Sequence, residues 1–124
     1  MSESNSISIR FADEFENNLY RLSKKYRNIR SDIEPIIQQI QTGNFLGDHI
    51  PKLGTDYLVY KVRVNNSNIQ KGKRAGYRLI YQVESETSVL LLTIYSKSEK
   101  EDINVSEILN ILNNFYNSED NNSL

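Results

Sequence analysis

Between Arg63 and Tyr81 the chain reads RVNNSNIQKGKRAGYRLIY, where Lys71, Lys73, Arg74 and Arg78 gather with no acid among them. Lys61 and Arg63 precede them, and a later segment, LLLTIYSK, ends in Tyr95 and Lys97. Lysine and arginine bind phosphate oxygens, and an aromatic ring can stack on a base. These residue types therefore suit a polyanionic ligand. They do not suit metal chemistry: the chain has no cysteine and a single histidine, His49. Thiolate sites, disulfides and paired imidazoles are excluded, and no metal or cofactor is expected.

The charge is unevenly spread. From Lys52 to Arg78 the bases Lys52, Lys61, Arg63, Lys71, Lys73, Arg74 and Arg78 face one acid, Asp56. After Val83 the acids Glu84, Glu86, Glu99, Glu101, Asp102, Glu107, Glu119 and Asp120 face only Lys97 and Lys100. The net charge of −1 is thus the sum of a basic middle and an acidic end.

The 124 residues predict one domain, assigned to residues 1–117, with 118–124 as a polar tail that frays. No apolar run approaches the roughly 18 residues of a membrane span. The start, MSESNSISIRF, has neither a basic leader nor an apolar h-region. With cysteine absent, a cytoplasmic protein is expected.

The elements that must position the cations follow from periodicity. ISIRF alternates as a short strand, and Phe11, Phe15, Leu19, Leu22 and Tyr26 then mark one face of a helix. Ile33, Ile36, Ile37 and Ile40 mark a second helix, with Ser31 and Glu34 at capping-box spacing, Pro35 in its first turn and Gly43 as its stop. FLGDHIPKLGTD reads as loop. Strands are predicted over 57–64, 75–84 and 88–97, the last two joined at SETS. Asn104 and Glu107 cap a final helix carrying Val105, Ile108, Leu109, Leu112 and Tyr116. The expected fold is α+β, in the order βααβββα: a small, mostly antiparallel sheet with an N-terminal helix pair on one face and a C-terminal helix.

Alternation along a strand sends Leu58, Tyr60, Val62 and Val64, and Tyr77, Leu79, Tyr81 and Val83, toward the helix pair. In the last strand, strict parity separates Leu90, Leu92 and Ile94 from Val89, Leu91, Thr93, Tyr95 and Lys97. The second face then presents Lys61, Arg63, Arg78, Tyr95 and Lys97. It also holds Ile80, Val89 and Leu91, which call for a cover such as the C-terminal helix or a partner.

The segments YKVRVNNSNIQKGKRAGYRLIYQV and LLLTIYSKSEKEDI resemble the RelE/HigB-like toxins of bacterial type II toxin–antitoxin systems, within the RelE/ParE superfamily. The resemblance rests on the K-x-R strand, the KGKRAGYRLIY segment and the closing LLLTIYSKSE strand, and spans about Gly47 to Ile103. It implies a metal-independent endoribonuclease that cuts mRNA on the ribosome and so inhibits translation. It also implies a cognate antitoxin, expected to be a helix-turn-helix protein, and contact with operator DNA only through the toxin–antitoxin complex. No membrane partner is implied. The acidic C-terminal third differs from basic relatives, and His49 matches no catalytic histidine, so the implied mechanism is histidine-free.

RNA supplies its own nucleophile, the 2′-hydroxyl. Cleavage then needs a base, stabilisation of the phosphorane charge and an acid for the departing 5′-oxygen. On the resemblance, Arg78 stabilises the phosphate, and Lys71 or Lys73 serves as acid or electrostatic clamp. Tyr95 orients the 2′-hydroxyl or stacks on a base. Lys61, Arg63, Arg74 and Lys97 contact RNA. Crowded cations disfavour one another's protonated forms, which draws a lysine's titration toward neutrality. Glu99 or Glu101 is the alternative partner for Arg78, as a plain salt bridge. Two other functions compete with the nuclease: a ParE-like inhibitor of DNA gyrase on the same fold, and a catalytically inactive antitoxin-binding relative.

Overall fold

The computed structural model describes residues 6–54, 56–69 and 75–122. In chain order the elements are β1 (Ser8–Phe11), α1 (Asp13–Lys25), α2 (Ile29–Gln41), β2 (Asp48–His49), β3 (Val59–Val64), β4 (Tyr77–Ser85), β5 (Ser88–Ser96) and α3 (Val105–Asn122). The strands form one sheet in the order β1-β5-β4-β3-β2. β1 runs parallel to β5, and the other pairings are antiparallel. The α+β architecture is the one expected from the sequence. The two-residue β2 is an addition, lying within the segment predicted as loop.

The helix pair forms for the expected reasons, with local differences. α1 carries Asp13, Glu14 and Glu16 in its first turn and Lys24 and Lys25 in its last, which complements the helix dipole at both ends. It buries Phe15 and Leu22. α2 starts at Ile29, two residues before the predicted cap, and Asn28 at its N-cap makes no side-chain capping bond. Ser31 instead turns its hydroxyl back to the Asn28 carbonyl, so the Ser31–Glu34 capping box is not used. Pro35 consequently lies inside the helix rather than in its first turn. The predicted stop is present. Gly43 has φ +91°, and the amides of Gly43 and Asn44 return to the carbonyls of Ile40 and Gln39. That is a Schellman closure, and the left-handed backbone it requires suits glycine.

Parity holds along β3 and β4. Val62, Val64, Tyr77, Leu79 and Tyr81 join Phe15, Leu22, Ile29, Ile33 and Ile40 in one core beneath the helix pair. β5 departs from the simple count. Ile80 pairs with Thr93 but Tyr81 pairs with Leu91, leaving Leu92 as an extra residue in a bulge. The bulge switches the alternation. Val89 and Leu91 therefore lie in the helix-pair core with Ile94, while Leu90, Leu92 and Tyr95 lie in the second core. The strict-parity assignment of β5 is corrected accordingly: Val89 and Leu91 lie under the helix pair and not on the second face.

α3 covers the second face. Ile108 and Leu112 are 1% and 0% exposed and pack with Val59, Ile80, Leu90, Leu92 and Tyr95. Burying each such side chain is worth about 1.5–3 kcal/mol. The predicted cap forms, with the Glu107 amide donating to Asn104 Oδ1 at 2.9 Å. The helix continues to Asn122, beyond the residue at which the sequence places the end of the domain.

The far half of α3 is tied down by a polar network. Arg10 donates to Glu84 at 2.7 and 3.1 Å and to Glu119 at 2.6 Å, while Glu84 also accepts from the Tyr116 hydroxyl at 2.5 Å and from the Ser88 hydroxyl at 2.7 Å. Burial pushes the Glu84 carboxyl up, but the hydrogen bonds from Arg10, Tyr116 and Ser88 outweigh it and hold the group below the usual carboxylate range.

Two predictions follow from this packing. A Cβ at Gly76 would collide with the Val64 carbonyl oxygen, so Gly76→Ala should cost about 1–3 kcal/mol in urea unfolding. A carboxylate with a depressed folded pKa stabilises the fold above its unfolded pKa, near 4.5 for Glu84, and loses that contribution as pH falls further. Glu84→Gln should therefore cost about 1.5–3 kcal/mol at neutral pH and flatten the acid limb of the stability profile.

A candidate anion-binding site at the end of the sheet

The cationic residues converge because of strand register. Arg63 lies directly opposite Arg78, and Arg78 directly opposite Tyr95, so the three form a row across β3, β4 and β5. Directly opposed residues project to the same face, and Lys61, two residues before Arg63, shares it. This is the face under α3. The row passes from the surface inward: Arg63 is exposed, Arg78 is 5% exposed and Tyr95 4%.

Opposed like charges destabilise a strand pair. Arg78 shows the effect: burial and then the charge of Arg63 lower its pKa, against the pull of Tyr95 and Asp102. Its Nη1 donates to the Tyr77 carbonyl at 3.1 Å.

Asp102, from the connection between β5 and α3, reaches into this row. Its Oδ1 accepts from Lys61 Nζ at 2.9 Å, from its neighbour's amide at Ile103 at 2.8 Å, and from the Tyr95 hydroxyl at 3.4 Å. The Lys61 bond leads the causes that hold its carboxyl below the usual aspartate range. Burial, reinforced by the Asp102 charge, pushes the Tyr95 phenol up to about 12, with Arg78 pulling the other way. Tyr95 is thus a hydrogen-bond donor at neutral pH and a poor base.

The remaining residues singled out in the sequence fall as follows. Lys97 donates to the Glu101 carbonyl, within the same connection. Glu99 pairs with Arg21 at 2.9 Å. Lys100 pairs with Glu107. His49 is exposed on β2, its ring edge-on to Tyr60. Lys71, Lys73 and Arg74 lie outside the described residues. Asp102 is the site residue that the sequence did not single out. Its acidity was visible, but nothing in its spacing linked it to Lys61, 41 positions away.

Two clefts lie elsewhere: one of about 440 Å³ between the start of α1 and α3, the other of about 290 Å³ between α1 and α2. Among the described residues no group of three or more His, Cys, Asp or Glu side chains could hold a metal ion, and no helix is long and apolar enough to cross a membrane.

The comparison with protein families gives the class: a toxin of a type II toxin–antitoxin system. The model of the ParE toxin of the type II toxin–antitoxin system, parDE, matches residues 9–101, about three quarters of the chain, and the chain belongs to that family. Membership implies a cognate antitoxin. The match lies within the RelE/ParE superfamily anticipated from the sequence; the family matched is that of the ParE toxin, and no match supports the finer RelE/HigB-like assignment. No curated protein and no solved structure matches the chain.

The ion pair at Asp102 is open to a direct test. Replacing Lys61 with methionine removes the leading cause of its low pKa, so carbon-detected NMR titration of Lys61→Met should place the Asp102 carboxyl higher, toward the ordinary value of about 3.9. An unchanged titration would mean that Lys61 does not hold the carboxylate in solution.

Proposed function

We propose that this ParE-family toxin arrests growth by inhibiting DNA gyrase and does not cut mRNA. The observation that carries the reading is the burial of Arg78 and Tyr95, 5% and 4% exposed. A nuclease needs a base within hydrogen-bond reach of the 2′-hydroxyl, and a charge stabiliser that meets the phosphate. Tyr95 points its hydroxyl at Asp102, and its phenol is pushed up to about 12 by burial first and that carboxylate second. His49 stands on the far edge strand, β2. A gyrase inhibitor needs no such acid–base set, only a surface that engages its target.

One observation favours the mRNA interferase as a second reading. Arg63, Arg78 and Tyr95 lie in register on one face, the arrangement a phosphate-binding active site would use. On that reading Arg78 stabilises the phosphate, Lys71 or Lys73 supplies the acid, Tyr95 positions the 2′-hydroxyl, and Lys61, Arg63, Arg74 and Lys97 hold the RNA. Loop or helix movement would have to expose Tyr95 on the ribosome.

Induction in cells separates the two. The gyrase reading expects a DNA-damage response and, in vitro, loss of supercoiling by purified gyrase, with mRNA ends unchanged. Cuts in mRNA spaced by codons, with supercoiling intact, would overturn it in favour of the interferase. Arg78→Ala sharpens the contrast, since it should abolish cutting under the second reading.

A further inference from the structure

We infer that α3 is a latched cover: it leaves the sheet as one unit, swinging on the connection 97–104, and the contacts of Arg10 and Glu84 with its far half are the latch. The inference holds under either reading of the target, because it concerns which part of the molecule opens and not what that part meets.

Three observations set α3 apart from the rest of the molecule. The first is the division of the core. The cluster under the helix pair is drawn from Ile7 to Ile94 and contains nothing from α3. The residues matched to the family, 9–101, likewise end before Val105. Lifting α3 therefore leaves that core intact. It uncovers only the opposite face, where Val59, Ile80, Leu90, Leu92 and Tyr95 lie. The second is how little apolar surface fastens the helix. Ile108 and Leu112 are its fully buried side chains, whereas the helix pair buries Phe15, Leu22, Ile29, Ile33 and Ile40. Apolar stabilisation scales with the area buried, so α3 is the layer whose release costs less. Its far half also borders the cleft of about 440 Å³ that Ile111, Phe115 and Glu119 line against the start of α1, so packing does not hold it on that side.

The third is that the hold on the far half is polar and concentrated in a few groups. Arg10 Nη1 donates to Glu119 at 2.6 Å, and the guanidinium lies 4.9 Å from the centre of the Phe115 ring. The Tyr116 hydroxyl lies 2.5 Å from Glu84 Oε2 and 2.9 Å from Gln82 Oε1. Arg10 also donates to Glu84, so one guanidinium ties β1, β4 and α3 together. The ion pairs at the connection, Lys61–Asp102 and Arg21–Glu99, are open to solvent and hold it weakly by comparison. Removing the Arg10 charge undoes most of the latch at once and leaves the Glu84 carboxylate buried without its cation.

The chain has no cysteine, so a single introduced thiol reports opening without background. Ile80→Cys places it on the face under α3 and Val89→Cys on the face under the helix pair, both at positions 0% exposed. In the purified full chain under native conditions, a disulfide reagent should label Ile80→Cys at least about tenfold faster than Val89→Cys. Adding Arg10→Met should speed labelling of Ile80→Cys at least about tenfold, the scale of losing a charged hydrogen bond. Adding Leu22→Ala, which weakens only the core that stays closed, should speed labelling of Val89→Cys and leave that of Ile80→Cys unchanged. Equal rates at the two positions, or a matching response of both to Leu22→Ala, would mean that the molecule opens only as a whole and would overturn the cover. Labelling of Ile80→Cys that ignores Arg10→Met would overturn the latch. Leu90→Cys, on the same face, replaces Ile80→Cys as reporter where the latter does not fold.

Discussion

β4 is buried on both of its faces, and this constrains the rest of the molecule. Tyr77, Leu79 and Tyr81 point one way and Ile80 the other, all 0% exposed. A strand of that kind needs a layer on each side. α1 and α2 supply one layer and α3 the other, which leaves the charged positions of the sheet only its end and its outer strands. The cationic row is therefore not spread over an open surface. It is pressed to the margin of a face that α3 has already taken, with Arg63 outside and Tyr95 within.

The same packing explains how a near-neutral chain carries a basic segment. The acids of the C-terminal third are brought back onto cations from the earlier sequence: Asp102 to Lys61, Glu99 to Arg21, and Glu84 with Glu119 to Arg10. Most of these pairs are half-exposed and contribute little to stability individually. The pairing at Glu84 differs, because its side chain is only 12% exposed and it accepts from three partners. There the network anchors α3, whereas at Asp102 the contact is loose. One helix is thus fastened at its far end and preceded by a connection whose contact with Lys61 is open to solvent.

Much of this was legible in the sequence. The periodicity of Phe15, Leu22, Ile33 and Ile40, the glycine stop at Gly43 and the Asn104 cap each correspond to a local physical rule, and each appears in the fold. Register also brought Arg63, Arg78 and Tyr95 together as alternation predicts. What was not legible is non-local or a matter of count. A single extra residue at Leu92 reverses every later side chain in β5, and no propensity marks it. The start of α2 was set by packing rather than by the Ser31–Glu34 spacing. The burial of Tyr95 depends on α3 docking, and the place of Asp102 on a contact across 41 positions of chain. The superfamily was legible, but a strand segment such as AGYRLIY does not fix the branch, because function resides in what surrounds the strand.

Asp102 links the electrostatics of the row to its chemistry. A phenol beside an arginine is drawn toward ionisation, and Arg78 exerts that pull on Tyr95. Burial opposes it, and a carboxylate whose oxygen receives the phenolic proton opposes it further. The residue that pairs with Lys61 therefore also adds to the upward shift that burial imposes on the adjacent phenol. Catalysis through the Tyr95 hydroxyl would require freeing it from the apolar surround of Leu90, Leu92, Ile108 and Leu112, and so moving a helix fastened through Glu84 and Glu119.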